Sequence, residues 1–332
     1  MMKNVAVIAG GNSPEREVSI RSGNHVYNLL DEKRYNKFLI IIKGAEWLVK
    51  EGARHYPVDK NDFSFSREGE RIAFDFAYIT VHGTPGENGL LQGYLDMLGV
   101  PHGGCDVLCS ALTFDKYACN AFLKGFGVNV PDSLLLRSDM AYDKEEIIKE
   151  VGLPCFVKPN AEGSSFGVSK VKEIGQLDEA LDKAFAHGPY ALAERFIDGR
   201  EFTCGVVKSG EMELLMPVAE VISKNEFFDF QAKYDPDFSE EIIPARIPGE
   251  LADRVKILSS MIYDILRCEG IVRVDYRTRG DEIFMLEVNT TPGMTAQSFI
   301  PKMARAMGED LGEIIMTLIE NKCRLSPPRL PR

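Results

Sequence analysis

The sequence predicts an α/β fold, with a parallel α/β unit at the N-terminus followed by a strand-rich region. Over about the first hundred residues, apolar segments of strand length alternate with helical patterns, which is typical of a parallel sheet with crossover helices. Short β-rich segments dominate residues 155–221, and two more strands follow within residues 271–288. A chain of 332 residues is long enough for about two or three domains.

Composition narrows the classes of partner. The chain is 45% hydrophobic and 27% charged, with a formal net charge of −11. An acidic balance of this size argues against nucleic acid or an anionic membrane surface as a partner. No segment has the character of a signal peptide or the length of a membrane span. We therefore expect a cytoplasmic protein.

The seven cysteines show no metal-binding spacing. There is no C-x-x-C pair and no flanking histidine pattern, so the spacing disfavours zinc, and buried reduced thiols are expected instead. The cysteines are Cys105, Cys109, Cys119, Cys155, Cys204, Cys268 and Cys323.

Two loops of the N-terminal unit are candidate ligand-binding segments. The elements predicted there are strands at residues 5–9, 38–42 and 76–81 and helices at residues 17–30 and 90–98. Ligands usually bind at the carboxyl ends of parallel strands, where loops 10–17 and 82–89 fall. His82 is the one histidine in such a glycine-containing loop, and both a structural and a binding role remain open.

A turn-rich segment, residues 101–104, predicts a domain boundary. The elements predicted beyond it are helices at residues 112–123, 252–266 and 310–321 and strands at residues 155–158, 166–171, 191–196, 201–208 and 214–221. Residues 223–241 are polar, contain several aromatic residues and lack periodicity. A loop of this length is usually functional or mobile, which indicates either a lid that covers a ligand or an aromatic plug that fixes a surface loop.

The predicted hairpin within residues 271–288 contains the most informative pattern. Side chains alternate along a strand, so Arg273 and Asp275 share one face, and Glu287 and Asn289 share one face. If both pairs lie on the same face, their oxygens form a hard site suited to Mg²⁺ on nucleotide phosphates. That arrangement requires an odd-numbered loop or a bulge, because a regular two-residue turn separates Asp275 from Glu287. The alternative is a polar strand surface that faces solvent.

Loop 158–167 joins two predicted strands and is a candidate phosphate-binding segment. Its glycines and serines allow backbone N–H groups to close on phosphate oxygens, and Lys158 adds a cation. Neither the G-x-G-x-x-G nor the G-x-x-x-x-G-K-[ST] spacing occurs, so a nucleotide would have to be held in another way. Carboxylates and backbone near residues 194–201 could meet an adenine and a ribose. An ordinary polar hairpin is the alternative for loop 158–167 alone.

Together these segments resemble the ATP-grasp superfamily, and more closely the D-alanine–D-alanine ligase family. The matching strings are G-G-x-S-x-E-R-E-V-S at residues 10–19, H-G and G-E within residues 82–87, K-P through G-S-S at residues 158–165 and E-x-N-T-x-P-G-M-T at residues 287–295. The resemblance implies a three-domain ATP-grasp fold with an N-terminal parallel α/β (pre-ATP-grasp) domain. The implied domains are residues 1–104, residues 105–198 and residues 199–325, the last with a lid loop at residues 223–241.

The resemblance implies ATP-dependent joining of two D-alanines for peptidoglycan synthesis in a homodimeric enzyme. The first carboxylate attacks the γ-phosphate and gives an acyl phosphate and ADP; the second amine then attacks the acyl carbon and releases phosphate. Two Mg²⁺ ions per subunit, or Mn²⁺ in their place, would bridge the phosphate oxygens. Two alternatives stay open: a ligase for D-serine or D-lactate, and a nucleotide-binding module without turnover.

The resemblance also implies residue roles. The residues implied for ATP are Lys116, Lys158, Ser164, Glu194, Phe196, Ile197, Glu201, Phe228 and Lys233, and those for the metal ions are Asp275, Glu287 and Asn289. The residues implied for the first D-alanine are Glu15 and His82, with Ser164 and Tyr234 bonded to Glu15. Ser298 would bind the second carboxylate, while Arg273 and the Gly293 N–H would hold the tetrahedral intermediate. Tyr234 following Lys233 indicates the amide-forming branch of the family.

Overall fold

The computed structural model describes residues 2–163, 166–223 and 239–325, whose strands form three sheets. The first sheet contains β1 (Lys3–Gly10), β2 (Tyr35–Lys43), β3 (Glu46–Glu51), β4 (Arg54–Asp59), β5 (Ser64–Arg67), β6 (Glu70–Ala73) and β7 (Phe76–Ile79), in the order β6-β5-β4-β3-β2-β1-β7. Helices α1 (Arg16–Leu29) and α2 (Leu90–Met97) follow β1 and β7. The predicted strands and helices of this unit are confirmed, and loops 10–17 and 82–89 lie at the carboxyl ends of parallel strands.

Parallel pairing in the first sheet is confined to β2, β1 and β7. Between β2 and β7 the chain adds four antiparallel strands that the sequence analysis did not predict. They are only 4 to 6 residues long and carry many polar residues. Alternation over so few residues is a weak signal, and cross-strand packing rather than intrinsic propensity stabilises such strands.

The second sheet is antiparallel. It contains β8 (Ser133–Arg137), β9 (Cys155–Pro159), β10 (Ser169–Val171) and β11 (Tyr190–Arg195), in the order β10-β9-β11-β8, and it packs against α5 (Lys144–Val151) and α6 (Leu177–Phe185). The loop between β9 and β10 contains the predicted phosphate-binding segment.

Two short helices connect the first sheet to the second. The prediction of one helix over residues 112–123 is wrong, because α3 (Val107–Phe114) and α4 (Lys116–Lys124) are separated at Asp115. Asp115 has extended backbone angles, and its carboxylate accepts a hydrogen bond of 2.8 Å from the Ala118 N–H. An aspartate that caps the next helix in this way interrupts the helical pattern. Lys116 consequently becomes the first residue of α4.

The third sheet carries the predicted metal-binding hairpin. It contains β12 (Arg200–Ser209), β13 (Met212–Leu215), β14 (Ala219–Ser223), β15 (Ser239–Ile242), β16 (Gly270–Arg279) and β17 (Glu282–Asn289), in the order β15-β14-β12-β16-β17, with β13 also on β12. The single strand predicted at residues 214–221 is divided into β13 and β14, because Pro217 between them cannot donate to a ladder. Helices α7 (Gly249–Ile265), α8 (Phe299–Met307) and α9 (Leu311–Leu325) complete the unit.

Helix α9 joins the first and third sheets through one core. Its buried residues Ile315 and Ile319 belong to the same apolar cluster as Val7 of β1 and Val207 of β12. This packing fixes the loops after β1 and β7 relative to β16 and β17. The strands of the three sheets fall within residues 1–104, 105–198 and 199–325, although the domain division itself stays a prediction. Within the described ranges, no helix has the length and hydrophobicity that a membrane crossing requires.

We predict that Ile319→Ala lowers the free energy of unfolding by about 2–5 kcal/mol, because it leaves a cavity between the first and third sheets. Ile319 is fully buried. Urea unfolding monitored by circular dichroism measures the change. Leu325→Ala is the matched control on the same helix, since that side chain is 81% exposed and its loss should change stability by no more than about 0.5 kcal/mol. Equal changes in the free energy of unfolding for the two variants would contradict the packing of Ile319 between the first and third sheets.

Candidate active site

A cleft of about 720 Å³ lies where the three sheets meet. The described residues with a predicted role that line it are Glu15, His82, Lys116, Lys158, Glu194, Ile197, Glu201, Arg273, Asp275, Glu287, Asn289, Gly293 and Ser298. Phe196 also has a predicted role and is described, but it does not line the cleft. The remaining residues with predicted roles lie outside the described residues, and they are Ser164, Phe228, Lys233 and Tyr234. The structure thus brings segments from the whole chain to one cleft.

The β16–β17 hairpin contains the bulge that the metal-site hypothesis requires. The hairpin closes with a two-residue turn, and a regular ladder from there would pair Asp275 with Leu286. The register instead shifts by one residue, so Asp275 pairs with Glu287 and Arg273 pairs with Asn289. Directly opposed residues share a face of the sheet. The alternative of a solvent-facing surface is therefore wrong, since all four polar side chains line the cleft.

The Asp275 carboxylate is held by three neighbours. Arg273 contacts both of its oxygens at 2.8 Å, Asn289 Nδ2 donates at 3.0 Å, and Thr203 Oγ1 donates at 2.5 Å. The Arg273–Asp275 pair is only 16% exposed on each side chain, and a two-point contact of this kind fixes orientation as well as charge. Two carboxylates and an amide on one face form a hard-oxygen set that fits Mg²⁺ or Mn²⁺.

Lys116 contacts the third sheet and the loop after β9 across the cleft. Its Nζ lies 3.4 Å from Glu287 Oε2 and donates to the Glu162 carbonyl at 2.7 Å. The side chain is 13% exposed, so its charge is only partly screened by solvent. The start of α4 is tied to the same loop, because the Lys116 N–H donates to the Asn160 carbonyl at 3.1 Å.

Lys158 and Glu194 form a buried pair on neighbouring strands β9 and β11. Lys158 Nζ lies 2.7 Å from Glu194 Oε1, and the Glu194 side chain is 4% exposed. The other carboxylate oxygen, Oε2, is buried without a hydrogen-bond partner among the described residues. A buried acceptor left in this state costs free energy, so a ligand with an N–H donor would be favoured there.

Glu201 and Phe196 lie near the same end of the cleft. Arg277 contacts Glu201 Oε2 at 3.0 Å and donates to the Ile197 carbonyl at 3.1 Å. The Phe196 ring packs against Phe156 with centroids 5.8 Å apart, and Arg277 lies 5.4 Å from the Phe196 ring. The ring is thus part of the aromatic support behind the cleft wall.

Two carboxyl groups and a histidine form a pocket at the carboxyl ends of β1 and β7. Glu15 is 8% exposed and lies directly against Gly163, where a Cβ would stand 2.3 Å from Glu15 Oε2. Glu87 Oε2 accepts a hydrogen bond of 2.6 Å from the Gly83 N–H. Burial, reinforced by the charge of Glu15, raises the pKa of Glu87 to about 8. Burial lowers the pKa of His82, which favours a neutral imidazole.

The segment after β17 is fastened to α1. The Met294 N–H donates to Ser22 Oγ at 3.2 Å, and His25 Nδ1 lies 2.6 Å from the Met294 carbonyl. Ser298 is the N-cap residue of α8, but its side chain does not cap that helix and instead contacts Thr295 at 2.8 Å. The N-terminal end of α8 therefore keeps backbone donors suited to an anion.

Sequence reasoning missed three supporting residues. Glu87 lies within a string that carried the family resemblance but received no role, and its raised pKa depends on burial that no local pattern reveals. Thr203 and Arg277 contact Asp275 and Glu201 from neighbouring strands. Only the pairing of β12 with β16 brings these side chains together.

Two family models match the chain, described as "D-ala D-ala ligase N-terminus" over residues 4–105 and "D-ala D-ala ligase C-terminus" over residues 122–320. The chain belongs to the D-alanine–D-alanine ligase family. The D-alanine–D-alanine ligase of Phocaeicola vulgatus is 50% identical over 325 residues, which cover 97% of this chain and 100% of the relative. The D-alanine–D-alanine ligase of Porphyromonas gingivalis strain W83 is 49% identical over 320 residues, which cover 96% of this chain and 97% of the relative.

Solved structures of this family confirm the predicted ATP-grasp α/β fold. The VanG D-Ala:D-Ser ligase of Enterococcus faecalis matches with a TM-score of 0.85 and 32% identity, covering 97% of this chain and 100% of that chain. The D-alanine–D-alanine ligase of Bacillus anthracis in complex with ATP matches with a TM-score of 0.78 and 29% identity, covering 98% of each chain.

We predict that Glu87 makes stability fall as pH rises from about 4.5 to about 8. In this range the folded chain keeps the Glu87 proton while the unfolded chain releases it, so a rise in pH favours unfolding. Glu87→Gln keeps the shape of the protonated group and should remove this contribution. Relative to the unaltered protein, the variant should therefore be more stable at about pH 9 than at about pH 5 in urea unfolding.

Glu17→Gln is the control for this experiment, because Glu17 is 78% exposed in the same unit. Its pH profile should match that of the unaltered protein. An unchanged pH profile for Glu87→Gln would show that the Glu87 carboxyl titrates alike in both states.

Proposed function

We propose that this chain is an ATP-dependent, ADP-forming ligase that joins two D-alanines for peptidoglycan precursor synthesis. The observation that carries the proposal is the bulge in β17, which aligns Asp275, Glu287 and Asn289 on a cleft that also contains the buried carboxylate of Glu15. One end of the cleft thus suits nucleotide phosphates and the other suits an ammonium group. Family membership over nearly the whole chain supports the same activity.

ATP would lie between the second and third sheets. Lys116 and Lys158 would contact its phosphates, while Glu194 and Ile197 would frame the adenine and Glu201 would take the ribose hydroxyls. Glu194 Oε2 supports this placement, since it has no hydrogen-bond partner among the residues that the structure describes and an amino group would satisfy it. The resemblance assigns further ATP contacts to Phe196, Ser164, Phe228 and Lys233.

Asp275, Glu287 and Asn289 would hold two Mg²⁺ ions, with Mn²⁺ as a substitute. These ions would neutralise charge on the phosphate oxygens. The chain supplies the oxygen ligands and fixes their orientation, because Thr203 and Arg273 hold the Asp275 carboxylate. Arg273 would also contact the phosphoryl group during transfer, where a planar guanidinium can contact two oxygens at once.

The first D-alanine would bind with its ammonium at Glu15. Charge balance supports this role, because Glu87 with its pKa near 8 is largely protonated at neutral pH and His82 is neutral. Glu15 then supplies the net negative charge for one ammonium group. Ser164 and Tyr234 would form hydrogen bonds with Glu15, so that closure of the lid would be coupled to binding of the first D-alanine.

The reaction would proceed in two steps. The carboxylate of the first D-alanine attacks the γ-phosphorus, the bond to the bridging oxygen breaks, and ADP leaves. The neutral amine of the second D-alanine then attacks the acyl carbon, and the tetrahedral intermediate expels phosphate and loses a proton. Arg273 and the Gly293 N–H would stabilise the oxyanion, and Ser298 with the N-terminus of α8 would bind the second carboxylate.

The assembly and location of the enzyme are part of the proposal. A homodimer and a cytoplasmic location are both proposed from the likeness to the ligase family. The three-part division at residues 104 and 198, with a lid at residues 223–241, is proposed on the same basis.

We predict that Glu287→Gln lowers the rate of phosphate release by about 100-fold or more, because it removes a charged oxygen ligand of the metal ions. The assay couples phosphate release to D-alanine and ATP. Glu282→Gln is the control on the same hairpin, since the Glu282 side chain is 57% exposed and contacts Arg279 at 2.8 Å. Circular dichroism should be unchanged in both variants. Equal activity of Glu287→Gln and the unaltered enzyme would refute the metal assignment.

A ligase for D-serine or D-lactate is the second candidate, and the likeness to the VanG D-Ala:D-Ser ligase favours testing it. We predict that D-alanyl-D-alanine is the main product when D-alanine, D-serine and D-lactate compete, measured by mass spectrometry across pH. Because an amine attacks only when deprotonated, amide formation should decline at low pH more than ester formation does. A main product containing D-serine or D-lactate would overturn the acceptor assignment while leaving the ATP chemistry intact.

A further inference from the structure

Three cysteine thiols come together outside the cleft. The sulfur atoms of Cys105, Cys109 and Cys268 all lie within 4.8 Å of one another, and the Cys109–Cys268 separation is 3.7 Å. All three residues are buried, with exposures of 1%, 2% and 7%. The family mechanism uses none of them.

The spacing of the sulfur atoms fits coordination of one ion. A Zn–S bond of about 2.3 Å in tetrahedral geometry places thiolate sulfurs about 3.8 Å apart. The Cys109–Cys268 separation already has this value, and Cys105 needs to move by no more than about 1 Å to reach it. The Glu269 carbonyl lies 3.5 Å from Cys105 Sγ, so the fourth position can be filled by this oxygen or by water.

Electrostatics favours a divalent, thiophilic cation. Three thiolates with Zn²⁺ carry a net charge of −1, which the surroundings partly offset. The Glu269 N–H donates to Cys105 Sγ at 3.3 Å, and Cys109 lies in the first turn of α3, where the helix dipole favours negative charge. Soft thiolate ligands select zinc-like ions over Mg²⁺.

The position of the thiols suggests what a bound ion would do. Cys105 follows the connection from the first sheet, Cys109 belongs to α3, and Cys268 lies between α7 and β16. An ion at this point would crosslink the connection that leads to Lys116 with the strand that carries Arg273 and Asp275. An ion that binds residues so far apart in the chain closes a long loop and thereby stabilises the folded state.

We propose that Cys105, Cys109 and Cys268 form a structural binding site for a thiophilic divalent cation of the Zn²⁺ type. Three thiols release three protons when the ion binds, so binding tightens as pH rises. The site is independent of the ligase reaction. The cysteine spacing did not indicate it, because Cys268 is 159 residues from Cys109.

The test uses the reduced, metal-free, full-length protein with ADP and excess Mg²⁺ to occupy the carboxylates of the cleft. Cd²⁺ is then added and the thiolate-to-metal charge-transfer absorption is followed. We expect one Cd²⁺ per chain, a charge-transfer band that a chelator removes, and a higher unfolding temperature in Zn²⁺. No band from the folded protein would overturn the proposal, and this measurement requires no variant.

Cys268→Ala should abolish the band and the thermal shift while phosphate release continues. Cys204→Ala is the matched control, because Cys204 is fully buried in the same apolar core but its thiol donates to the Met216 carbonyl at 3.5 Å. An unchanged band in Cys268→Ala would overturn the proposal. So would the loss of two titratable thiols without bound metal, reversed by a reductant, which would identify a disulfide pair instead.

Discussion

The one-residue bulge in the β16–β17 hairpin is the constraint on which the cleft depends. Leu286 is the additional residue, and without it Glu287 would face away from Asp275. A shift of one residue moves every following side chain to the other face of a strand. The bulge therefore determines whether Arg273, Asp275, Glu287 and Asn289 form one polar surface or two unrelated ones. The contact of Lys116 with Glu287 depends on the same register.

Charge compensation organises the rest of the cleft. Three carboxylates near the nucleotide end each have a cation beside them, in the Lys158–Glu194, Arg277–Glu201 and Arg273–Asp275 pairs. At the other end, burial raises the pKa of Glu87 to about 8, which favours the protonated carboxyl at neutral pH. One end is thereby suited to a polyanion with its cations, and the other to an ammonium group. The same electrostatic rules explain both ends.

The packing of α9 against two sheets makes these ends parts of one cleft. A single apolar cluster extends from β1 through Ile315 to β12. The Met294–Ser22 hydrogen bond adds a polar connection across 272 residues of chain. Loops that would otherwise move independently are held at fixed separations, which is what positioning two substrates requires.

Local sequence patterns determined the α/β class, most of the long helices and strands, and the residues from which the cleft is built. Alternation reveals which side chains share a strand face, so the pairs Arg273 with Asp275 and Glu287 with Asn289 could be predicted. Tertiary structure alone decided whether those pairs meet, because register depends on cross-strand contacts that set the bulge at Leu286. The helix break at Asp115, the raised pKa of Glu87 and the assembly of three thiols likewise arise from contacts between segments. No local pattern encodes them, since capping competes with periodicity, and burial and proximity exist only after the chain has folded.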